Sequence, residues 1–277
     1  MATRQERAIR SALATERQIG QVSDDVMASI IRGLKDARAE TLDRLANAGQ
    51  VWQAQQARAT LAEIDRQLII WGEQSTRTIS AAYLDADRIG AEGMYRALRA
   101  AGATVEVGAA PTIASAQVIA SQTTLPWLIT QITQQATTEV AGILRRAVLA
   151  QLSPTEVMAQ VGQVVGPTAK GPFRNAALRA EAIARTELGR LGQQAGYGTL
   201  NDYALRFDRD MGKQWVTWVD GRTRTAHTFA NGQTRFPVSE PFTVWGERLL
   251  YPKDPRGSAR NVVNCRCVMV PWKPTWR

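Results

Sequence analysis

KQWVTWVDGRTRTAH, residues 213–227, opens a region of the sequence in which short strand-like runs alternate with turns. Similar runs follow at residues 231–238, 242–252 and 259–272. The dipeptides Asp220-Gly221 and Asn231-Gly232 are typical of tight turns between paired strands. Five of the eight tryptophans lie from Lys213 onward, and a small sheet would bury their large aromatic surface. The pattern predicts a small antiparallel sheet here.

Upstream of this region, the sequence has the features of long helices. No proline occurs before Pro111, and apolar residues recur at helical spacing over Val22–Leu45 and again over Leu61–Ile89. A turn at Asn47 and Gly49 would join the two helices into an antiparallel hairpin. Helices of this length suit an arm or spacer better than a compact domain.

Further helices are predicted between the hairpin and the sheet. Residues 100–126 are small and include glycine, so they are interpreted as a linker, with helix resuming over 125–151. Ser153–Glu156 form a capping box, with proline at the first helical position, that would begin a short helix. Another helix, over 174–197, is expected to end at the glycines of QAGYG.

The predicted fold class is therefore α+β. A long N-terminal helical hairpin or arm would occupy residues 1–120, and a compact domain of helices plus a small antiparallel sheet would occupy residues 121–277.

Composition favours a folded chain. Apolar residues make up 44% of the 277 residues and charged residues 21%, so wholesale disorder is not expected. No apolar run reaches the roughly 18 residues that a membrane span needs, and the polar N-terminus does not resemble a secretory signal. Two cysteines cannot form a disulfide scaffold, so synthesis and assembly in a reducing cytoplasm are expected.

The net charge of +9 is unevenly distributed. Residues 1–165 hold 16 basic and 16 acidic side chains, so the whole excess lies in residues 166–277. A basic segment of this kind favours a polyanionic neighbour, either nucleic acid or an acidic protein surface. The alternative is a generally solvated basic surface.

The residues best suited to metal binding are His227, the only histidine, together with Cys265, Cys267 and Asp220. A C-x-C pair in a strand would turn both sulfurs to one face, as a zinc site requires. Zinc sites, however, usually have four protein ligands and a C-x₂₋₄-C spacing. Thiols packed in a strand are therefore the favoured interpretation, with zinc as the alternative.

A Cys–His nucleophilic pair is a further alternative, with Asn264 or Asp220 orienting the histidine ring. Glu187 could serve as a general base, although a buried ion pair of Arg185 and Glu187 with the sheet is the simpler interpretation. The sequence has no phosphate-binding glycine loop and no dinucleotide fingerprint. It is therefore not expected to be an enzyme.

Five motifs occur in order: AIARTE (182–187), KQWVTWVDGRTRTAH (213–227), NG (231–232), YPKDP (251–255) and NCRC (264–267). Together they resemble the phage Mu F-like minor head protein family over about residues 125–271. The motif residues are Arg185, Thr186, Glu187, Trp215, Asp220, Arg222, His227, Gly232, Asn264, Cys265 and Cys267.

This resemblance implies a minor capsid protein of head morphogenesis in a tailed phage or prophage. The implied partners are the portal protein, the major capsid protein or both, together with double-stranded phage DNA during assembly, packaging or ejection. The expected location is the capsid interior or portal region, and the host cytoplasm during assembly, with the oligomeric state set by the virion. No membrane partner is expected, and no cofactor apart from the zinc alternative.

Basic residues near the motifs are the predicted contacts with DNA or a protein partner: Arg222, Arg224, Arg235, Arg256 and Arg260. The alternative function is a metal-dependent or Cys–His enzyme acting on nucleic acid or cell wall.

Overall fold

The computed structural model describes residues 2–47, 54–105, 114–150, 152–165, 176–218 and 220–276. The five long helices are α1 (Arg4–Ala46), α2 (Ala54–Ala100), α3 (Ala114–Ala150), α4 (Pro154–Val165) and α5 (Ala176–Arg206). They are followed by β1 (Gly212–Val216), α6 (Thr225–Ala230), β2 (Thr234–Arg235), β3 (Phe242–Val244), β4 (Glu247–Leu249), α7 (Ala259–Val262), β5 (Val268–Trp272) and a 3₁₀ turn (Pro274–Trp276). The predicted α+β class is confirmed.

The chain packs into two compact units, each built from separate segments of the sequence. The sheet unit contains Met1–Asp24, Ala82–Ser121 and Arg185–Arg277, and the helical unit contains Asp25–Ala81 and Gln122–Ala184. The helices α1, α2, α3 and α5 therefore each contribute to both units. This grouping by packing does not test the predicted division into an arm over residues 1–120 and a compact domain over residues 121–277, which stays a prediction.

Side-chain hydrogen bonds connect α1, α2, α3 and α4 within the helical unit. The Trp71 indole N–H of α2 donates to the Ile30 carbonyl of α1 at 3.0 Å, and Trp71 is only 1% exposed. The Thr137 hydroxyl of α3 donates to the Asp65 carboxylate of α2 at 2.7 Å. Arg38 of α1 donates to a carbonyl of α4 at 3.3 Å. Apolar residues of these helices, such as Ile64, Leu68 and Ile129, are buried.

The sheet unit holds both small sheets. One has the strand order β2-β1-β5 with antiparallel pairing, and the other is the β3–β4 hairpin. Trp215 of β1 is fully buried beneath them, with its ring 5.4 Å from the ring of Phe242. The first turn of α1 docks on the same sheet, where the Gln5 side-chain amide donates to Gln214 at 2.9 Å and to the Pro271 carbonyl at 3.2 Å.

The predicted antiparallel pairing of α1 and α2 is present in both units. In the sheet unit, the Arg7 guanidinium of α1 donates to the Ala100 carbonyl of α2 at 2.7 Å. In the helical unit, Ile30 meets Trp71 as described above. Of the two predicted turn residues, Asn47 directly follows α1, and Gly49 lies outside the described residues.

The predicted capping box at the start of α4 is confirmed. The Ser153 backbone N–H donates to the Glu156 carboxylate at 2.9 Å, and the Glu156 backbone N–H donates to the Ser153 hydroxyl at 3.3 Å. Two backbone donors at the helix start therefore have partners, as this motif requires.

Two helix boundaries predicted from the sequence are wrong. The linker over 100–126 is helical from Ala114 onward, and α3 continues through Pro126. Likewise, α5 continues past Gly196 and Gly198 to Arg206. Packing explains the second difference, because Leu200, Tyr203 and Ala204, which follow the two glycines, are buried in the core of the sheet unit. Burial of these side chains outweighs a helix penalty of about 1 kcal/mol for each glycine.

The region after β1 also differs from the prediction. The turn at Asp220 leads into the short helix α6, where a returning strand was expected, since TRTAHTF lacks a strand's alternation of apolar and polar side chains. The NCRC motif is not in a strand either, because Asn264 has φ of +55°, in the left-handed region that interrupts a strand, and β5 begins only at Val268.

Lys213 is a charged residue in the core of the sheet unit. Its ammonium donates to the Leu250 carbonyl at 2.6 Å and lies 4.9 Å and 4.8 Å from the ring centroids of Tyr197 and Phe242. Burial lowers the pKa of Lys213 to about 7. The aromatic faces and the carbonyl oppose that effect by favouring the charged form.

Candidate functional site

A basic cleft of about 660 Å³ lies within the sheet unit. Residues from α1, α5 and the segments on either side of α6 and α7 line it: Glu16, Arg17, Ile19, Gly20, Ser23, Asp24, Arg185, Gly189, Trp218, Asp220, Arg222, Arg224, Lys253, Asn264, Cys265 and Arg266. Another cavity in the same unit, about 650 Å³, is lined by Tyr95, Phe207 and Trp276 among others and contains none of the predicted site residues.

Positive charge predominates in the basic cleft, which has six arginine and lysine side chains and three carboxylates. Asp220 pairs with Arg266 at 2.8 Å, and this hydrogen bond lowers the pKa of Asp220 to about 2. The Arg17 guanidinium lies 5.0 Å from the ring centroid of Trp218, a cation–π arrangement that holds a planar cation against the aromatic face. The cleft is therefore suited to an anionic ligand.

A buried ion pair lies beside this charge. The Lys253 ammonium donates to the Glu16 carboxylate at 2.6 Å, and the Lys253 side chain is only 2% exposed. Burial raises the pKa of Glu16, while the Lys253 charge opposes that change. Gly189 of α5 leaves room for the lysine, since a Cβ there would lie 2.4 Å from the Lys253 nitrogen.

The His–Cys cluster consists of His227, Cys265 and Cys267, all buried. His227 Nδ1 lies 3.5 Å from Cys265 Sγ and 3.3 Å from Cys267 Sγ. Hydrogen bonding between the two thiols lowers the pKa of Cys265 and raises that of Cys267. The ring edge of Trp215 packs against the histidine at 5.8 Å between centroids.

The structure brings three of the four candidate metal ligands together. Ligand atoms of the His–Cys cluster all lie within 4.8 Å of one another. Asp220 is not part of that group and instead pairs with Arg266 in the cleft. The thiols thus face one histidine, as the metal and Cys–His alternatives require, from a loop before β5.

Two motifs that are distant in sequence meet beside this cluster. The Asn264 backbone N–H donates to the Thr186 hydroxyl at 3.0 Å, which joins NCRC to AIARTE. Glu187 pairs with Arg190 on its own helix at 2.5 Å, and Arg185 pairs with Asp24 at 3.2 Å. These two ion pairs join Arg185 to α1 and Glu187 to α5, where the prediction placed an ion pair with the sheet.

The remaining motif residues support the site from the strands and turns. Trp215 packs on the histidine, and Gly232 follows α6 with φ of +80°, in the left-handed region that suits glycine.

The predicted DNA or partner contacts are divided between the basic cleft and positions outside its lining. Arg222 and Arg224 line the basic cleft, whereas the other three are absent from its lining. Arg256 pairs with Asp254 at 2.5 Å. Arg260 stacks over Trp245, and Arg235 donates to the Pro241 carbonyl at 2.9 Å. Of the five predicted contacts, Arg222 and Arg224 thus line the cleft.

Glu16 and Arg17 of the cleft were not predicted from the sequence. A signal for Glu16 does exist, since Ala12, Glu16 and Ile19 are spaced by four and three residues. That spacing puts a carboxylate on the apolar stripe of α1, where a buried partner is to be expected. Nothing in the local pattern indicates that the partner is Lys253.

Comparisons with known proteins give one match. The family model described as Phage Mu protein F like protein matches residues 129–270, which include every residue of the His–Cys cluster. No curated protein and no solved structure matches the chain. Among the described residues, none of the helices is long and apolar enough to cross a membrane. The chain therefore belongs to the phage Mu protein F-like family and is a phage head-related protein.

Proposed function

We propose that this chain is a minor capsid protein that acts in head morphogenesis of a tailed phage or prophage, as a structural component without enzymatic activity. The family match over residues 129–270 carries the proposal. Its partners would be the portal protein, the major capsid protein or both, at the capsid interior or portal region. The long pairing of α1 with α2 supports a docking role for the N-terminal helices.

Contact with packaged DNA is the second part of the proposal. The excess of positive charge lies entirely in residues 166–277, and the basic cleft gathers part of it. Arginine binds phosphate with two parallel hydrogen bonds, and the arginines of this cleft come from several separate elements. A DNA backbone would therefore meet several guanidinium groups at once.

Co-expression with the portal and major capsid proteins of the encoding phage tests the assembly role. The chain is expected to sediment with assembled heads and to remain with them through a further gradient. If it stays at the top of the gradient while heads form normally, it is not a head component.

The Arg222→Ala/Arg224→Ala double variant tests the DNA contact. Each lost phosphate contact lowers the slope of log affinity against log salt by about 0.9, so the slope should fall by about 2. Fluorescence anisotropy of labelled duplex DNA across a salt series measures that slope.

The matched control is Arg66→Ala/Arg88→Ala, which removes the same charge from two exposed arginines outside the cleft lining. This control should leave the slope nearly unchanged. An equal loss in both double variants would show that DNA binding depends on overall charge and that the cleft has no particular role.

The enzyme alternative rests on a specific contact. Cys265 lines the basic cleft, and its sulfur lies 3.5 Å from His227 Nδ1, the arrangement that a thiol nucleophile and its base require. Nuclease or cell-wall hydrolase activity of the purified chain that is lost in Cys265→Ser would favour this alternative over a purely structural role.

A further inference from the structure

The His–Cys cluster gathers soft donor atoms from two separate parts of the sheet unit. His227 comes from α6, and both cysteines come from the segment between α7 and β5. His227 is 2% exposed and each cysteine 3%. Three such donors, buried together at one point, are the residue types that zinc sites use.

The distances within the cluster suit a tetrahedral ion. With Zn–S bonds of about 2.3 Å and Zn–N bonds of about 2.0–2.1 Å, a nitrogen and a sulfur ligand stand about 3.6 Å apart. The nitrogen–sulfur distances in the cluster are 3.5 Å and 3.3 Å, and all three donor atoms lie within 4.8 Å of one another. An ion would need only small side-chain adjustments to bind.

Hydrogen bonds to His227 cannot provide a good partner for both thiols of the cluster. An imidazole nitrogen has either one N–H or one lone pair, so Nδ1 can make one good hydrogen bond, yet two sulfurs approach it. His227 Nε2 is buried and has no hydrogen-bond partner among the described residues. Nδ1 is therefore the ring atom that contacts the thiols, and a metal ion bound to it would also bind both sulfurs.

We propose that His227 Nδ1, Cys265 Sγ and Cys267 Sγ bind a Zn²⁺ ion. Binding forms two Zn–S bonds and one Zn–N bond, the thiol protons leave to solvent, and no electron is transferred. Two thiolates balance the charge of Zn²⁺, so the three donors need no carboxylate beside them. Because Cys265 lines the basic cleft, the fourth position is open to water or to an anion from the cleft.

Such an ion would act as a cross-link in a region with little regular structure. Helix α6 has only six residues, and the segment between α7 and β5 is a short loop. Zn²⁺ would hold His227 and the NCRC loop at fixed separation, in the way that structural zinc sites stabilise small domains.

Cobalt substitution tests the site in the full chain. The purified protein is freed of metal with a chelator and titrated with Co²⁺, whose tetrahedral thiolate complexes absorb strongly. About one Co²⁺ per chain is expected, with thiolate-to-cobalt absorption that added Zn²⁺ removes. Folded protein that shows no such absorption would overturn the proposal.

Variants locate the ion. Cys265→Ser and Cys267→Ser should each lose half or more of the absorption, and His227→Ala should weaken Co²⁺ binding at least tenfold. The control Met269→Leu changes a buried neighbour on β5 that cannot replace a ligand, and should bind Co²⁺ as the parent does. Absorption that is unchanged in both serine variants would place the ion elsewhere and overturn the proposal.

A measurement on the unmodified chain tests the proposal even if the variants fail to fold. The sequence has only two cysteines, so alkylation counted by mass spectrometry reports on this site alone. Zn²⁺ is expected to slow alkylation of both thiols more than tenfold, because a bound thiolate is a poor nucleophile. Equal rates with Zn²⁺ and with chelator would overturn the proposal.

Discussion

Gly90→Ala is expected to destabilise the sheet unit by about 3 kcal/mol or more, near the upper end for overpacked cores. A Cβ built on Gly90 of α2 would lie 2.1 Å from the Gly192 carbonyl oxygen and 2.6 Å from its Cα. Both neighbours are backbone atoms of α5, so no side chain can rotate away to relieve the overlap. The two helices would have to separate, which would also loosen the core beside them.

Gly198→Ala is the control for this effect. Gly198 is in the same helix as Gly192, and a Cβ there would meet nothing within 4 Å. Its substitution should stabilise the protein by about 0.5–1 kcal/mol through helix propensity alone. Urea unfolding followed by tryptophan fluorescence compares the two variants. A Gly90→Ala protein within about 1 kcal/mol of the parent would contradict the close crossing of α2 and α5.

Lys253→Met is expected to cost about 3–5 kcal/mol, since it leaves the Glu16 carboxylate buried without its cation. The pair is 2.6 Å apart, with side chains that are 2% and 11% exposed. The double variant Glu16→Gln/Lys253→Met removes both charges and should recover a substantial part of the loss. Urea midpoints of the two single variants and the double variant give the coupling energy directly.

Arg248→Met is the comparison for this ion pair. Arg248 and Glu240 stand 3.1 Å apart on the surface, with side chains 70% and 49% exposed. Solvent screens such a pair, so the substitution should cost no more than about 1 kcal/mol. If Lys253→Met costs as little as this control, or if the losses at Glu16 and Lys253 simply add, the two side chains do not depend on each other.

The helices were predictable where the evidence is local. The stripes over Val22–Leu45 and Leu61–Ile89 and the capping box at Ser153 depend on neighbours within one or two helical turns, and these helices are present. The prediction that α5 ends at Gly196 was wrong because tertiary packing stabilises the rest of the helix. Leu200 and Tyr203, which follow Gly196, are buried in the core of the sheet unit, and a propensity argument does not include that burial.

The residues of the candidate site could be predicted from the sequence, but their spatial arrangement could not. With one histidine and two cysteines in the chain, any cluster of these donors had to use His227, Cys265 and Cys267. The predicted strand for NCRC was wrong, since Asn264 takes a left-handed conformation and its backbone N–H donates to Thr186 of α5, 78 positions away. The loop nevertheless turns both sulfurs to the histidine.

The sequence alone specifies the long helices, the small antiparallel sheet, the position of the basic charge and the motifs of the phage Mu protein F-like family. These features are carried by residues close together along the chain, or by composition. Only the tertiary structure establishes that Glu16 meets Lys253 across 237 positions and that α2 and α5 touch at Gly90 and Gly192. Such contacts depend on how complete helices and loops pack, because burial and close approach are properties of the assembled core.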